Sequence, residues 1–355
     1  MKDLFVKKNI LVLVCGQVIG GHEIQLKAIL QDLCELSDSV QVVCQTPATH
    51  EFFAALPCAV IQADFGIEGK VWHQWRSAPA IAAALASQLA QAGTVMVSGG
   101  TIEACIGAAR AAKLSRSSPK VVAYVPMYID RSLSHGMVGH VYNVIVNRMA
   151  GVVDEYLTIN RIQAHLLSKR YGRPVRVLEN AIQTVHAPVT TKGKRLIFLG
   201  RFDDGQKGLV EMIELLDHQD NPYADVVMIG DGPDRAAIVA KAQAAKHIKV
   251  AFQPWMSVAG VDTFVGTEDS LIMNSRWEGE PLVVREFTAR GLPCVVRDIT
   301  GMRGVTKKRL RFTDGESLVQ ALKLVNKGPV RDFVHTQRQQ QTNRKAIIAS
   351  SLNLK

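Results

Sequence analysis

The six cysteines, Cys15, Cys34, Cys44, Cys58, Cys105 and Cys294, form no C-x-x-C pair, and no His/Cys set in the chain has zinc spacing. Most of them lie inside apolar, strand-like runs, so buried reduced thiols and a cytosolic setting are expected. No apolar run approaches the roughly 18 residues of a membrane span. The N-terminal MKDLFVKKNILVLVCG has a short apolar core and no small-residue cleavage site after it. It reads as a first strand rather than a signal peptide. A G-x-G-x-x-G fingerprint is missing too, which argues against a dinucleotide site and so against a two-domain dehydrogenase. Aromatic residues make up only 6% of the chain and form no ribbon interleaved with basic residues, so nucleic acid is not an expected partner. No Asp-x-Asp falls in a suitable loop, and no bound metal is expected.

What is present is a repeated alternation. At 355 residues the chain is too long for one ordinary core, and 47% apolar with 21% charged residues is a globular composition. NILVLVCG, SVQVVCQ, TVMVSGG, KVVAYVPM, EYLTIN and VRVLEN read as buried strands, with helical patterns between most of them, near residues 22–36, 79–89, 101–113, 136–150 and 161–171. A polar, Pro-containing stretch, TVHAPVTTKGKR, interrupts this rhythm. It restarts with RLIFLGR, ADVVMIGDG, HIKVAFQ, SLIMNSR and PCVVRD. Continuous apolar strands alternating with helices imply parallel sheets covered on both faces. The expectation is an α/β chain of two doubly wound, Rossmann-like domains, 1–185 and 193–329, followed by a basic helical tail, 330–355, that leans on one of them.

Ligands of such sheets bind beyond the carboxyl ends of the strands, and three post-strand loops carry unusual chemistry. CGQVIGGHE offers Gly20 and Gly21 for close backbone approach, followed by His22. GRFDDGQKG places Arg201 and Lys207 around a tight turn, where Asp203 and Asp204 read as turn chemistry rather than metal ligands. SRWEGEPLVVREF holds Glu278 and Glu286 eight positions apart, on either side of Pro281. Pro281 suits the first position of a helix. Glu278 then lies in a loop, Glu286 lies inside the helix, and the amides around Leu282 to Val284 face an anion.

GRFDDGQKG, GDGPDR and SRWEGEPLVVREFTARGLPCVVRD, in that order, resemble the retaining glycosyltransferases of family 4, which have the GT-B fold with a cleft between two domains. The two acids match that family's E-x7-E motif, IGGHEIQ resembles its acceptor-side Gly-rich loop, and ENAI resembles the segment before its linker. The likeness is strong from Arg195 to Asp298 and diffuse over the first 190 residues. It implies a nucleotide-diphosphate sugar as donor substrate, a UDP-sugar by family frequency, and no cofactor. Arg201 and Lys207 would clamp the diphosphate, and Glu286 would take the ribose hydroxyls. Glu278 would hold the sugar, with Gly279 and Glu280 beside it. Pro281, Leu282 and Val283 would present the helix start to the phosphate. The family's first-domain His is absent from VVAYVPMYID, which leaves Tyr124, Met127 or Asp130 to line that side. The implied reaction is retaining hexosyl transfer to a glycan or lipid-linked acceptor, in bacterial surface polysaccharide or lipopolysaccharide synthesis. A non-catalytic binding or assembly subunit of the same fold is the alternative. The net charge of +10, with Lys2, Lys7, Lys8, Arg110, Lys113, Arg116 and Lys120 in the first domain, adds an expected peripheral contact with an anionic membrane surface on its inner face.

Overall fold

The computed structural model describes residues 9–17, 19–66, 70–181, 185–191, 193–303, 305–326 and 337–354. Lys2, Lys7 and Lys8, and residues 330–336 and 355 of the expected tail, lie outside them. The chain divides into two compact units, Met1–Ala181 with Arg338–Lys355, and Ile182–Gln337.

The first unit is built on seven parallel strands: β1 Asn9–Val14, β2 Val40–Cys44, β3 Ala59–Gln62, β4 Ala92–Ser98, β5 Lys120–Tyr124, β6 Glu155–Thr158 and β7 Val175–Val177. Their order is β3-β2-β1-β4-β5-β6-β7, so β1 pairs with both β2 and β4 and the winding reverses there. Successive strand residues enter opposite cores. Leu11, Leu13, Val95 and Val97 join one apolar cluster, while Ile10, Val12, Val14 and Met96 join the other. The second unit has six parallel strands: β8 Arg195–Leu199, β9 Asp225–Ile229, β10 Lys249–Gln253, β11 Ser270–Met273, β12 Cys294–Arg297 and β13 Arg311–Phe312. They are ordered β10-β9-β8-β11-β12-β13 with the same two-faced burial. In parallel sheets covered on both faces, such strands read as continuous apolar runs.

KVWHQWRSAP, which leads into the helical pattern expected at 79–89, is itself helical. The helix runs Val71–Ala84 with Pro79 inside it. A proline there removes the hydrogen bond to the carbonyl four residues back. That carbonyl belongs to Trp75, and Arg110 Nη1 donates to it while the guanidinium lies 4.2 Å from the Trp75 ring centre. Arg110 therefore serves the interior packing of this unit. Lys113 pairs with Asp154 (2.6 Å) and Lys120 with Glu155 (2.8 Å), so of the described basic residues named for a membrane patch only Arg116 is exposed and without an ion pair.

The helix Gln337–Ser351 returns to the first unit, where Ile348 and Leu352 enter the core. Polar contacts help to fix it. Arg344 pairs with Asp32 at 2.9 Å, both nearly buried. Glu155 accepts from Lys120, Arg176 and Ser351. Burial alone would raise the Glu155 pKa, but these hydrogen bonds outweigh it and hold the carboxyl below its usual range. Removing one partner of a buried pair strands the other charge, which costs about 3–5 kcal/mol. Asp32→Ala should lower the stability of the first unit by about that amount in urea unfolding. An unchanged midpoint would show that this ion pair adds nothing to the docking of the helix.

Candidate functional site

The loop after β8 is held by its neighbour after β9. The Phe202 amide donates to the Asp231 carbonyl (2.8 Å), and the Asp234 amide donates to the Phe202 carbonyl (3.1 Å). Backbone packs directly on backbone here. A Cβ at Gly230, whose φ is +143°, would strike the Gly200 carbonyl, and one at Gly232 would strike Phe202. The two acids that follow are consumed by the turn. Asp203 caps the single-turn helix Asp204–Lys207 by accepting from the Gln206 amide (3.1 Å), and its other oxygen accepts from Arg201 (2.7 Å). Asp204 accepts from the Val210 amide (2.8 Å). Arg201 projects from this turn with its side chain 56% exposed.

The loop after β11 is laced onto the same turn. The Arg276 amide donates to the Gln206 carbonyl (2.8 Å), its guanidinium donates to the Asp204 carbonyl (2.5 Å), and Asn274 donates to the Gly208 carbonyl (2.8 Å). Gly208 is left-handed, φ +59°, with Asn274 against the face where a Cβ would stand. Across these contacts Lys207 and Glu278 form an ion pair, with side chains only 14% and 11% exposed. The structure thus brings together two residues placed in one site from sequence, 71 positions apart.

Past Glu278 the chain turns over Gly301, where a Cβ would run into the Glu278 carbonyl and crowd that of Gly279. Glu280 pairs with Arg285 at 3.2 Å, both nearly buried. Pro281 stands one position before the expected one. Its ψ of 119° is extended, making it the N-cap of the helix Leu282–Ala289. The Val284 amide donates to the Pro281 carbonyl (3.2 Å) and is unavailable to an anion. The amides of Leu282 and Val283 meet no acceptor among the described residues. Glu286 is half-buried on this helix, and its carboxylate accepts no hydrogen bond and forms no ion pair among the described residues. Burial raises its pKa, nearby Asp262 adds to the rise and Arg290 opposes it.

In the first unit, Gly20 precedes the helix Gly21–Leu36, and its amide donates to Glu23 (2.9 Å). The Glu23 carboxyl is packed against Gly16, and burial raises its pKa. His22 meets the carboxyl ends of two strands. Its Nε2 lies 3.0 Å from Ser98 Oγ at the end of β4, and its ring stacks on Tyr124 at the end of β5, 5.2 Å between centres. Nδ1 is buried without a hydrogen-bond partner among the described residues, and burial lowers the His22 pKa to about 4, so the ring is neutral. Sequence reasoning named His22 and Tyr124 but missed Ser98. Its only signal was a polar residue closing an apolar strand ahead of two glycines. Asp130 is otherwise engaged, accepting from Ser132 and Asn143 at 2.6 Å each.

Residues 183–329 match the family model described as Glycosyl transferases group 1. No curated protein matches the chain. Among solved structures, a lipopolysaccharide outer core galactosyltransferase, WaaB, in its apo form is similar at 17% identity and TM-score 0.66, over 98% of both chains. Sucrose-phosphate synthase from Thermosynechococcus elongatus is similar at 12% identity and TM-score 0.69, over 98% of this chain and 97% of that one. A glycosyltransferase from Rickettsia africae ESF-5 gives 14% identity and TM-score 0.65, over 98% and 95%. The α/β fold with its two parallel sheets is the GT-B fold of these structures.

The buried imidazole gives the first unit a defined acid sensitivity. His22 protonates near 6.5 in an unfolded chain but near 4 when folded, so the unfolded state takes up the proton first as pH falls. Stability should drop between those values by on the order of 3 kcal/mol. Urea unfolding at neutral pH and at the lower end of this window should show a smaller drop for His22→Gln than for the parent. Equal drops would mean that other groups carry the titration.

Proposed function

We propose that the chain is a glycosyltransferase that moves a hexosyl group from a nucleotide-diphosphate sugar, preferably a UDP-sugar, to an acceptor hydroxyl with retention of configuration. The observation that carries this reading is the Lys207–Glu278 pair, which sets a cation and a carboxylate side by side at the ends of β8 and β11. It is supported by the family match, which spans every residue of this second-unit site. In this reading Arg201 and Lys207 meet the diphosphate. As the sugar–oxygen bond breaks, the distal phosphate gains negative charge, and preorganised cations stabilise that charge more than they stabilise the bound donor. The Leu282 and Val283 amides add two donors to the same anion. Glu278 receives the sugar hydroxyls and Glu286 those of the ribose, since an ionised carboxylate accepts from a vicinal diol through both oxygens. The departing phosphate takes the proton of the acceptor hydroxyl on the face that it leaves. The similar galactosyltransferase supports a surface polysaccharide or lipopolysaccharide acceptor, glycan or lipid-linked.

Lys207→Ala should lower turnover by about 10²–10³, the usual effect of losing one transition-state charge partner. Donor hydrolysis and transfer assays across nucleotide-sugars would measure it, and NMR of the product anomer would test retention. Nucleotide binding with no transfer to any acceptor would favour a non-catalytic binding subunit instead. The two acids should separate cleanly. Glu286→Ala is expected to weaken binding of the free nucleoside diphosphate at least tenfold in calorimetry, whereas Glu278→Ala should spare that binding and impair transfer. Equal losses of nucleotide affinity would reject this division of roles.

A further inference from the structure

The stretch from Glu278 to Glu286 holds three carboxylates, Glu278, Glu280 and Glu286. They surround a helix start whose Leu282 and Val283 amides meet no acceptor among the described residues. For a site read as anion-binding this is an electrostatic difficulty, because each uncompensated acid repels the ligand. Two of the three are answered by a cation. Glu278 pairs with Lys207, while Arg201 on the same turn pairs with Asp203. Glu280 pairs with Arg285 at 3.2 Å, and their side chains are only 7% and 10% exposed. Solvent screens charges at such depth weakly, so they act over a longer range than surface charges do.

The pair also stands close to those amides. Glu280 lies two residues before Leu282, and Arg285 lies three residues after it, about 4.5 Å further along the helix. Helical side chains lean toward the N-terminus, and Arg285 does so to reach Glu280 in the preceding loop. Arg201 with Asp203, Lys207 with Glu278 and Arg285 with Glu280 are matched pairs, and together they carry no net charge. Removing Arg285 would leave this set one charge negative, and removing Glu280 would leave it one charge positive. At an effective dielectric of about 20, a unit charge about 8 Å away changes the affinity for an anion by tenfold or more. We infer that Arg285 sets the affinity of this site for a diphosphate, without touching the ligand, by cancelling the charge of Glu280. The inference rests on the proposed donor site and adds to it a residue that governs how strongly the site holds its anion.

The test is calorimetric binding of UDP to the full chain. Arg285→Met should weaken binding about tenfold, and Glu280→Gln, which keeps the shape of the carboxylate, should strengthen it by about the same factor. The double variant should return to within about threefold of the parent, and Arg285→Lys, which keeps the charge, should stay equally close. Opposite signs are the signature of charge, since a purely structural pair would lose affinity from either side. Circular dichroism and thermal unfolding check the fold of each variant, and if Arg285→Met does not fold, the Glu280→Gln result decides alone. Weaker or unchanged binding by Glu280→Gln overturns the inference while leaving the donor site in place. A parent that binds no UDP overturns the donor reading and this inference together.

Discussion

Lys207 and Glu278 are two opposite charges held largely out of water, and they persist there because each compensates the other. An isolated charge at either position would have to neutralise or draw in solvent. The pair spans two loops that leave adjacent strands, so the turn after β8 and the descent from β11 are fixed as one piece. The surrounding contacts are arranged to permit this. Gly208 and Asn274 bring the loop backbones together, and Arg276 satisfies carbonyls of the short helical turn. The turn is in turn supported by Gly230 and Gly232, which let a third loop lie beneath Phe202. The position of Lys207 depends on three post-strand loops at once.

The first unit holds its corresponding loops by other means. Where the second unit uses full charges, the first uses a neutral imidazole, a serine hydroxyl and a carboxyl whose pKa is raised by burial. Its charged cluster of Glu155 with Lys120 and Arg176 is engaged with the C-terminal helix. The two units share a sheet architecture and differ in electrostatic character at their strand ends. A charged ligand would suit the second and a neutral hydroxyl-bearing one the first.

Long buried strands were legible in the sequence because continuous apolar runs have few other uses. β3 and β13 were not: one is a four-residue strand with no buried residue, the other has only two residues. The helix through Pro79 was unreadable locally, since what sustains it is an arginine from another helix that takes up the orphaned carbonyl. At the candidate site, Asp203 and Asp204 could be recognised as turn residues from the Gly-bearing stretch around them. Glu280 could not be placed, because its partner Arg285 lies a turn into the next helix and either could equally have faced solvent. The meeting of His22, Ser98 and Tyr124 depends on strand order, and a sequence does not display which strands are neighbours.

Gly301 has a bearing on how this protein can change over evolutionary time. It lies beneath the carbonyls of Glu278 and Gly279 with no room for a side chain, so the acidic loop rests on a floor with no slack. Variation at positions 278 and 280 can exchange side chains but not shift the path of the backbone. Any substitution at 301 lifts the loop and alters what those side chains reach. Positions more than twenty residues apart are therefore epistatic, and a lineage that acquired a side chain at 301 would have to redesign the acidic loop with it.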